Sequence, residues 1–110
     1  MSDELTAAAD ARPWVTVGPG NRRRVLLSQP QLMQVEFAFE AGAIGALHSH
    51  PHVQASYVIE GTFEVTIGDT TTVLGTGGSY IVPPNMVHGV KALTAGRLID
   101  CFTPRRDDFL

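Results

Sequence analysis

From Trp14 onward, apolar and polar residues alternate in short runs broken by glycine and proline, a pattern of strands rather than helices. The clearest run is Leu32 to Glu40. Met33, Val35, Phe37 and Phe39 share one face there, and Gln34, Glu36, Ala38 and Glu40 share the other. A glycine-containing bend, Ala41 to Gly45, follows. Val53 to Glu60 and Thr62 to Ile67, with a turn at Gly61 between them, predict a hairpin, and Gly68-Asp69 makes the next turn. Thr71 to Leu74, Ser79 to Val82, Val87 to Leu93 and Arg97 to Thr103 complete the set. Turn signals at intervals of roughly 8–12 residues indicate an all-β sandwich or barrel, an architecture that closes or protects strand edges. No long 3.6-residue stripe and no repeat beyond strand-level similarity is present. Residues 1–13 are polar and alanine-rich, and Pro13 punctuates their end. They predict a flexible N-terminal tail, with at most a frayed helical turn, before one domain over residues 14–110.

Composition narrows the classes. The chain has 110 residues, 44% of them hydrophobic, enough for one domain with a real core. A net charge of -3, with Arg22 to Arg24 as the only dense basic run, excludes a phosphate-tracking surface, so no nucleic-acid partner is expected. No apolar stretch approaches the roughly 20 residues that span a bilayer, and the first dozen residues lack the charged and apolar regions of a secretion signal. Cys101 is the single cysteine, which rules out an internal disulfide framework and fits a reducing, cytoplasmic compartment.

The residues that break the apolar logic are concentrated. His48, His50 and His52 fall in HSHPHVQ, with Gln54 two positions later. On an extended strand, His48 and His50 project to one side, where two imidazoles can reach one ion. His88 lies 38 residues beyond His50, after a Pro-Pro-Asn turn and at the start of another strand. A metal site in a β-barrel needs a local pair plus distant ligands brought in by strand pairing. His-x-His alone is a weak signal, and His52, beside Pro51, is expected to be a bend residue outside the ligand set. Asp100 is the second anomaly. It shares a face with Leu98 and Phe102 on the strand Arg97 to Thr103, so it points inward if they do. An interior carboxylate is either a structural group satisfied by amides or an arginine, or a functional group with a raised pKa. Cys101, on the opposite face, is expected to be a small buried hydrophobe. Tyr57 and Tyr80 are candidate pocket residues but are expected to serve the β-core. Arg22 to Arg24 alternate along a strand, so at most one set faces the pocket, and a solvated or dimer-edge role is expected.

The spacing resembles the cupin superfamily. The first cupin motif reads Gly42-AIGAL-His48-Ser49-His50-PHV-Gln54-ASYVIE-Gly61, and the second reads Gly77-GSYIV-Pro83-Pro84-Asn85-MV-His88. Gln54 stands where glutamate is usual, and Asn85 where glycine is usual. Asparagine tolerates the left-handed conformation. From about Gly18 to Leu110 the chain is similar to the small single-domain cupins of pectin and alginate breakdown, the KdgF type. RRRVLL, VEFAFEAGAIGALHSHPHVQ, YVIEGTFEVTIG, YIVPPNMVHGV and DCFTPRRDDFL carry that likeness, with Val53 where members often have glutamate.

The resemblance implies a single cupin barrel, a double-stranded β-helix of jelly-roll type. It implies one divalent metal ion per chain (nickel, manganese, iron, zinc or cobalt) held by His48, His50, Gln54 and His88. Catalytic or substrate roles fall at Asp100, Phe102 and Arg106, with Arg106 as a carboxylate clamp. The implied reaction opens 4,5-unsaturated monouronates to the linear 5-keto-4-deoxyuronate. Small cupins commonly pair through edge strands, so a homodimer is expected. A neutral amide at Gln54 leaves a divalent ion its full charge, which favours Lewis-acid chemistry on an anionic substrate and disfavours ferric iron. A small cupin dioxygenase and a non-catalytic sugar- or ligand-binding cupin are the alternatives.

Overall fold

The structure is a computed structural model and describes residues 4–110. Ten strands form two antiparallel sheets: β1 (Val15–Gly18), β2 (Asn21–Gln29), β3 (Leu32–Phe39), β4 (Ile44–His48), β5 (Val53–Glu60), β6 (Phe63–Ile67), β7 (Thr70–Leu74), β8 (Ser79–Val82), β9 (His88–Ala92) and β10 (Gly96–Thr103). The larger sheet runs β1-β2-β3-β10-β5-β8 and the smaller β4-β9-β6-β7, so the fold is the expected all-β sandwich of cupin type. A short 3-10 helix, Asp107–Phe109, ends the chain.

The alternation places the core between the sheets. Phe39, Val58 and Leu98 from the larger sheet meet Phe63, Val65 and Ala92 from the smaller. Met33, Val35 and Phe102 form a second cluster within the larger sheet. The outer face of β3 is not simply solvated. Glu36 is 3% exposed because Arg24 and Arg97 both pair with it, each at 2.8 Å. The N-terminal segment reaches the same strands: Asp10 pairs with Arg24 at 3.2 Å, and Arg12 donates to the Leu26 carbonyl at 3.0 Å. No helical turn forms among residues 4–13.

Tyr57, expected in the core, is 48% exposed, and Arg24, expected to be solvated or at a dimer edge, is buried against Glu36. Two further expectations are corrected. The hairpin of Val53–Glu60 with Thr62–Ile67 does not form. β5 pairs with β10 and β8, whereas β6 pairs with β7 and β9 in the other sheet. The turn at Gly61 carries the chain between sheets, at φ +91°, where a Cβ would come within 2.5 Å of the Ala95 carbonyl oxygen. The reason is packing: both flanking strands are inward-facing and apolar, and each buries more against its own sheet than a two-stranded ribbon would allow. The second correction concerns His48 and His50, which do not share one strand. His48 is the last residue of β4, and His50 lies in the connection to β5.

Candidate metal centre

Crossing between sheets is what builds the site. His48 closes β4 and pairs across with His88, which opens β9, so two imidazoles face each other on the smaller sheet. The connection after His48 then turns toward the larger sheet and delivers His50, and Gln54 follows on β5. Asn85 adopts φ +65°, as its place in the second motif suggested, and its N–H donates to the His50 carbonyl at 2.7 Å. That bond ties the turn before His88 to the loop carrying His50.

The ligand atoms of His48, His50 and His88 all lie within 4.8 Å of one another. Each ring is oriented from behind. Nδ1 of His48 meets the Ala46 carbonyl at 2.8 Å, Nδ1 of His50 the His52 carbonyl at 3.1 Å, and Nδ1 of His88 the Met86 carbonyl at 2.9 Å. A carbonyl only accepts, so each Nδ1 carries the proton and each Nε2 presents a lone pair. Gln54 Oε1, also an acceptor, sits 3.0 Å from Nε2 of His50 and 3.1 Å from Nε2 of His88. Acceptors packed this closely against acceptors suit a cation between them. The donor set fits a divalent metal, with the backbone carbonyls setting ring orientation. Burial pushes His50 below its ordinary pKa and His88 down to about 4, so both remain the neutral, ligating form.

The other face of Gln54 leads deeper. Its amide nitrogen donates to Ser56 Oγ at 3.0 Å, and Ser56 Oγ donates to Asp100 Oδ1 at 2.6 Å. Strand register makes this row: Gln54 stands opposite Phe102, and Ser56 lies between Asp100 and Tyr80 on its two neighbours. Asp100 is 6% exposed, and burial pushes its carboxyl up to about 7 against a smaller downward pull from the Ser56 hydrogen bond. Burial likewise pushes the Tyr80 phenol up, so it stays protonated. Phe102 is 2% exposed, edge-on to the His50 ring at 5.6 Å, and belongs to a core cluster while also lining the cavity.

All of these side chains except His50 and Ser56 line one cavity of about 550 Å³, a volume suited to a small ligand. Arg106 reaches its wall with its fork already engaged: Nε and Nη2 donate to the two carboxylate oxygens of Asp108 at 3.0 and 2.8 Å. His52 contributes its carbonyl, but its ring lies outside the three-histidine group. The sequence reading missed Ser56, Asp108 and Phe109, and it favoured the β-core for Tyr80, which lines the cavity. For Ser56 a signal existed, since it follows Gln54 at the two-residue spacing of one strand face. For Asp108 and Phe109 none did, because only the terminal 3-10 turn brings them back.

Comparison with known proteins follows the same residues. Residues 35–102 match the family model described as the cupin domain. The chain is 43% identical over 103 residues to the pectin degradation protein KdgF of Dickeya dadantii (strain 3937), covering 92% of this chain and 94% of that protein. A solved RmlC-like cupin from Shewanella frigidimarina NCIMB 400 superposes with a TM-score of 0.95 at 39% identity, covering 100% of both chains. KdgF from Halomonas sp. gives a TM-score of 0.93 at 36% identity, over 97% of this chain and 99% of that one.

Proposed function

The chain belongs to the cupin family, in its KdgF-type branch, and from that premise we propose that it opens the ring of 4,5-unsaturated monouronates released from pectin or alginate. The observation that carries this reading is the single cavity joining a metal-fitting donor set to a buried carboxyl poised near neutrality. A divalent ion such as nickel, manganese, iron, zinc or cobalt would be held by His48, His50, His88 and Gln54, supplying a Lewis acid for the sugar oxygens.

In this mechanism Asp100, as carboxylate, takes the proton of the anomeric hydroxyl. The C1–O bond to the ring oxygen breaks as the C1 carbonyl forms, and its electrons pass to the ring oxygen, leaving an enolate at C5. Asp100 then gives the proton to C4, and the C5 oxygen becomes the keto group. Atoms balance as an isomerisation, with no oxidant or reductant. A carboxyl with a pKa of about 7 both accepts and donates at neutral pH, as these two transfers require. Ser56 fixes the carboxyl by its hydrogen bond to Oδ1. Phe102 walls the sugar's path, and Arg106 adds positive charge for the substrate carboxylate.

The test is the ultraviolet absorbance of a 4,5-unsaturated uronate. Purified protein should remove it faster than the spontaneous rate, without dioxygen. A rate equal to the spontaneous one sinks the reading, and dependence on ferrous iron and oxygen favours the dioxygenase instead.

A homodimer is part of the same proposal. It is supported by an apolar outer strip on the larger sheet, where Tyr57 and Ile81 are 48% and 62% exposed beside Ala55, Ile99 and Cys101. Light scattering at micromolar concentration decides it, a mass of twice 11.8 kDa being expected.

A further inference from the structure

Arg22, Arg23 and Arg24 are consecutive on β2, so strand alternation divides them. Arg22 and Arg24 stack on Trp14, their guanidinium carbons 4.3 and 4.2 Å from its ring, and Arg24 also pairs with Glu36 and Asp10. Arg23 takes the other face. It stands opposite Phe37 on β3 and lines the cavity that holds His48, Gln54 and Asp100.

There the arginine is half-buried and makes no direct pair with an anion, Asp108 acting on it only through space. Among the described residues its guanidinium makes no hydrogen bond or ion pair, and it rests 3.9 Å from the centre of the Phe109 ring. Arg106 rests on the same ring at 4.3 Å, but two of its three guanidinium nitrogens, Nε and Nη2, are bonded to Asp108. Around that ring two guanidiniums share the one carboxylate of Asp108, so this stretch of the cavity wall carries an excess of positive charge. Part-burying a cation without a partner costs free energy, and burial does push Arg23 below its ordinary pKa. An anion entering the cavity removes that cost and gains a planar two-pronged hydrogen bond.

We infer that Arg23 is a specificity-determining residue that receives the carboxylate of the uronate and selects the acid over a neutral sugar. This rests on the uronate reading of the cavity. Arg106, kept in place by Asp108, supports the carboxylate as a neighbouring charge, whereas Arg23 has its donors free.

A binding experiment separates this assignment from the reaction itself. The metal-loaded protein is titrated calorimetrically with D-galacturonate, a saturated acid that has no 4,5-double bond to react, and with its methyl ester. The wild type is expected to prefer the acid. Arg23→Gln should weaken acid binding about tenfold or more, the loss expected for a charge-assisted pair, and leave the ester unchanged. Arg23→Lys should fall between, and Arg22→Gln, on the other face, should bind as wild type. Equal acid affinity in wild type and Arg23→Gln overturns the assignment. So does an equal loss for acid and ester, an equal loss in Arg22→Gln, or a wild type that does not prefer the acid. Separately, a wild type with Arg23-dependent acid binding but no effect on the unsaturated chromophore refutes ring opening while leaving this assignment standing.

Discussion

The Ser56 hydroxyl donates to Oδ1 of Asp100 at 2.6 Å, across neighbouring strands of the larger sheet, while accepting from the amide of Gln54. One hydroxyl thus joins the metal-fitting side of the cavity to the one buried carboxyl that lines it among the described residues. It also fixes which way round Gln54 stands, with nitrogen toward Ser56 and oxygen toward the histidines.

Ser56→Ala removes the hydrogen bond that holds the Asp100 pKa down. The pKa should rise, so the acid limb of the turnover profile should move to higher pH. Turnover at neutral pH should fall by about tenfold at most, the worth of one good hydrogen bond, and recover as pH rises. A pH–rate profile superimposable on the wild type's would show that Ser56 has no hold on the reacting carboxyl.

Asp100→Asn tests both chemistry and stability. Its amide oxygen still accepts from Ser56, but it cannot exchange a proton. Turnover per folded, metal-loaded molecule should fall about 10²–10⁴-fold, the usual contribution of a general acid–base group. Stability should change in a pH-dependent way. As pH rises from 3.8 to about 7, the unfolded chain loses this proton while the folded chain keeps it. The wild type therefore loses stability across that window, and the loss is complete above it. Metal-free Asp100→Asn should match the wild-type Tm at about pH 4 and exceed it at about pH 8. A constant difference across that range contradicts the raised pKa.

Replacing His48 and His50 together by alanine should empty the metal centre, and elemental analysis of the wild type should find about one divalent ion per chain. His52→Ala should retain the ion, because the His50 ring is held by the backbone carbonyl of residue 52 and not by its side chain. Full occupancy in the double variant, or loss in His52→Ala, would redraw the ligand set.

Gln54→Glu should keep or tighten metal binding but slow turnover. Carboxylate lowers the Lewis acidity of the ion and repels an anionic substrate. It also replaces the donor that Ser56 now receives with an acceptor. A metal-loaded Gln54→Glu protein with wild-type turnover would make the neutral ligand incidental.

Much of this was legible in the chain because strand periodicity is local. The inward set Leu98, Asp100 and Phe102 follows from a two-residue repeat, and all three are buried. Gly68-Asp69 closes the β6–β7 hairpin as the turn residues suggested. Sheet membership is not local. The alternation around Gly61 looks the same whether the flanking strands pair or part, so the change of sheet stayed hidden. Glu36 reads as a solvated position until Arg24 and Arg97, 12 and 61 residues away, are brought to it. Asp108 lies two residues from Arg106, yet its grip depends on the terminal 3-10 turn, which no periodicity marks.

The placement of the four donors also has a mechanical side. His48 and His88 stand on the smaller sheet and Gln54 on the larger, with His50 on the strap between them. A bound ion would therefore act as a cross-brace, fixing the spacing of two layers otherwise joined by packing and connecting loops. Ion affinity and sandwich rigidity become a single variable: a change that pries the sheets apart, even far from the histidines, loosens the ion, and the ion in turn resists prying. Heat resistance that climbs with free metal concentration, and hydrogen exchange slowed in both sheets at once, are the marks of such a brace.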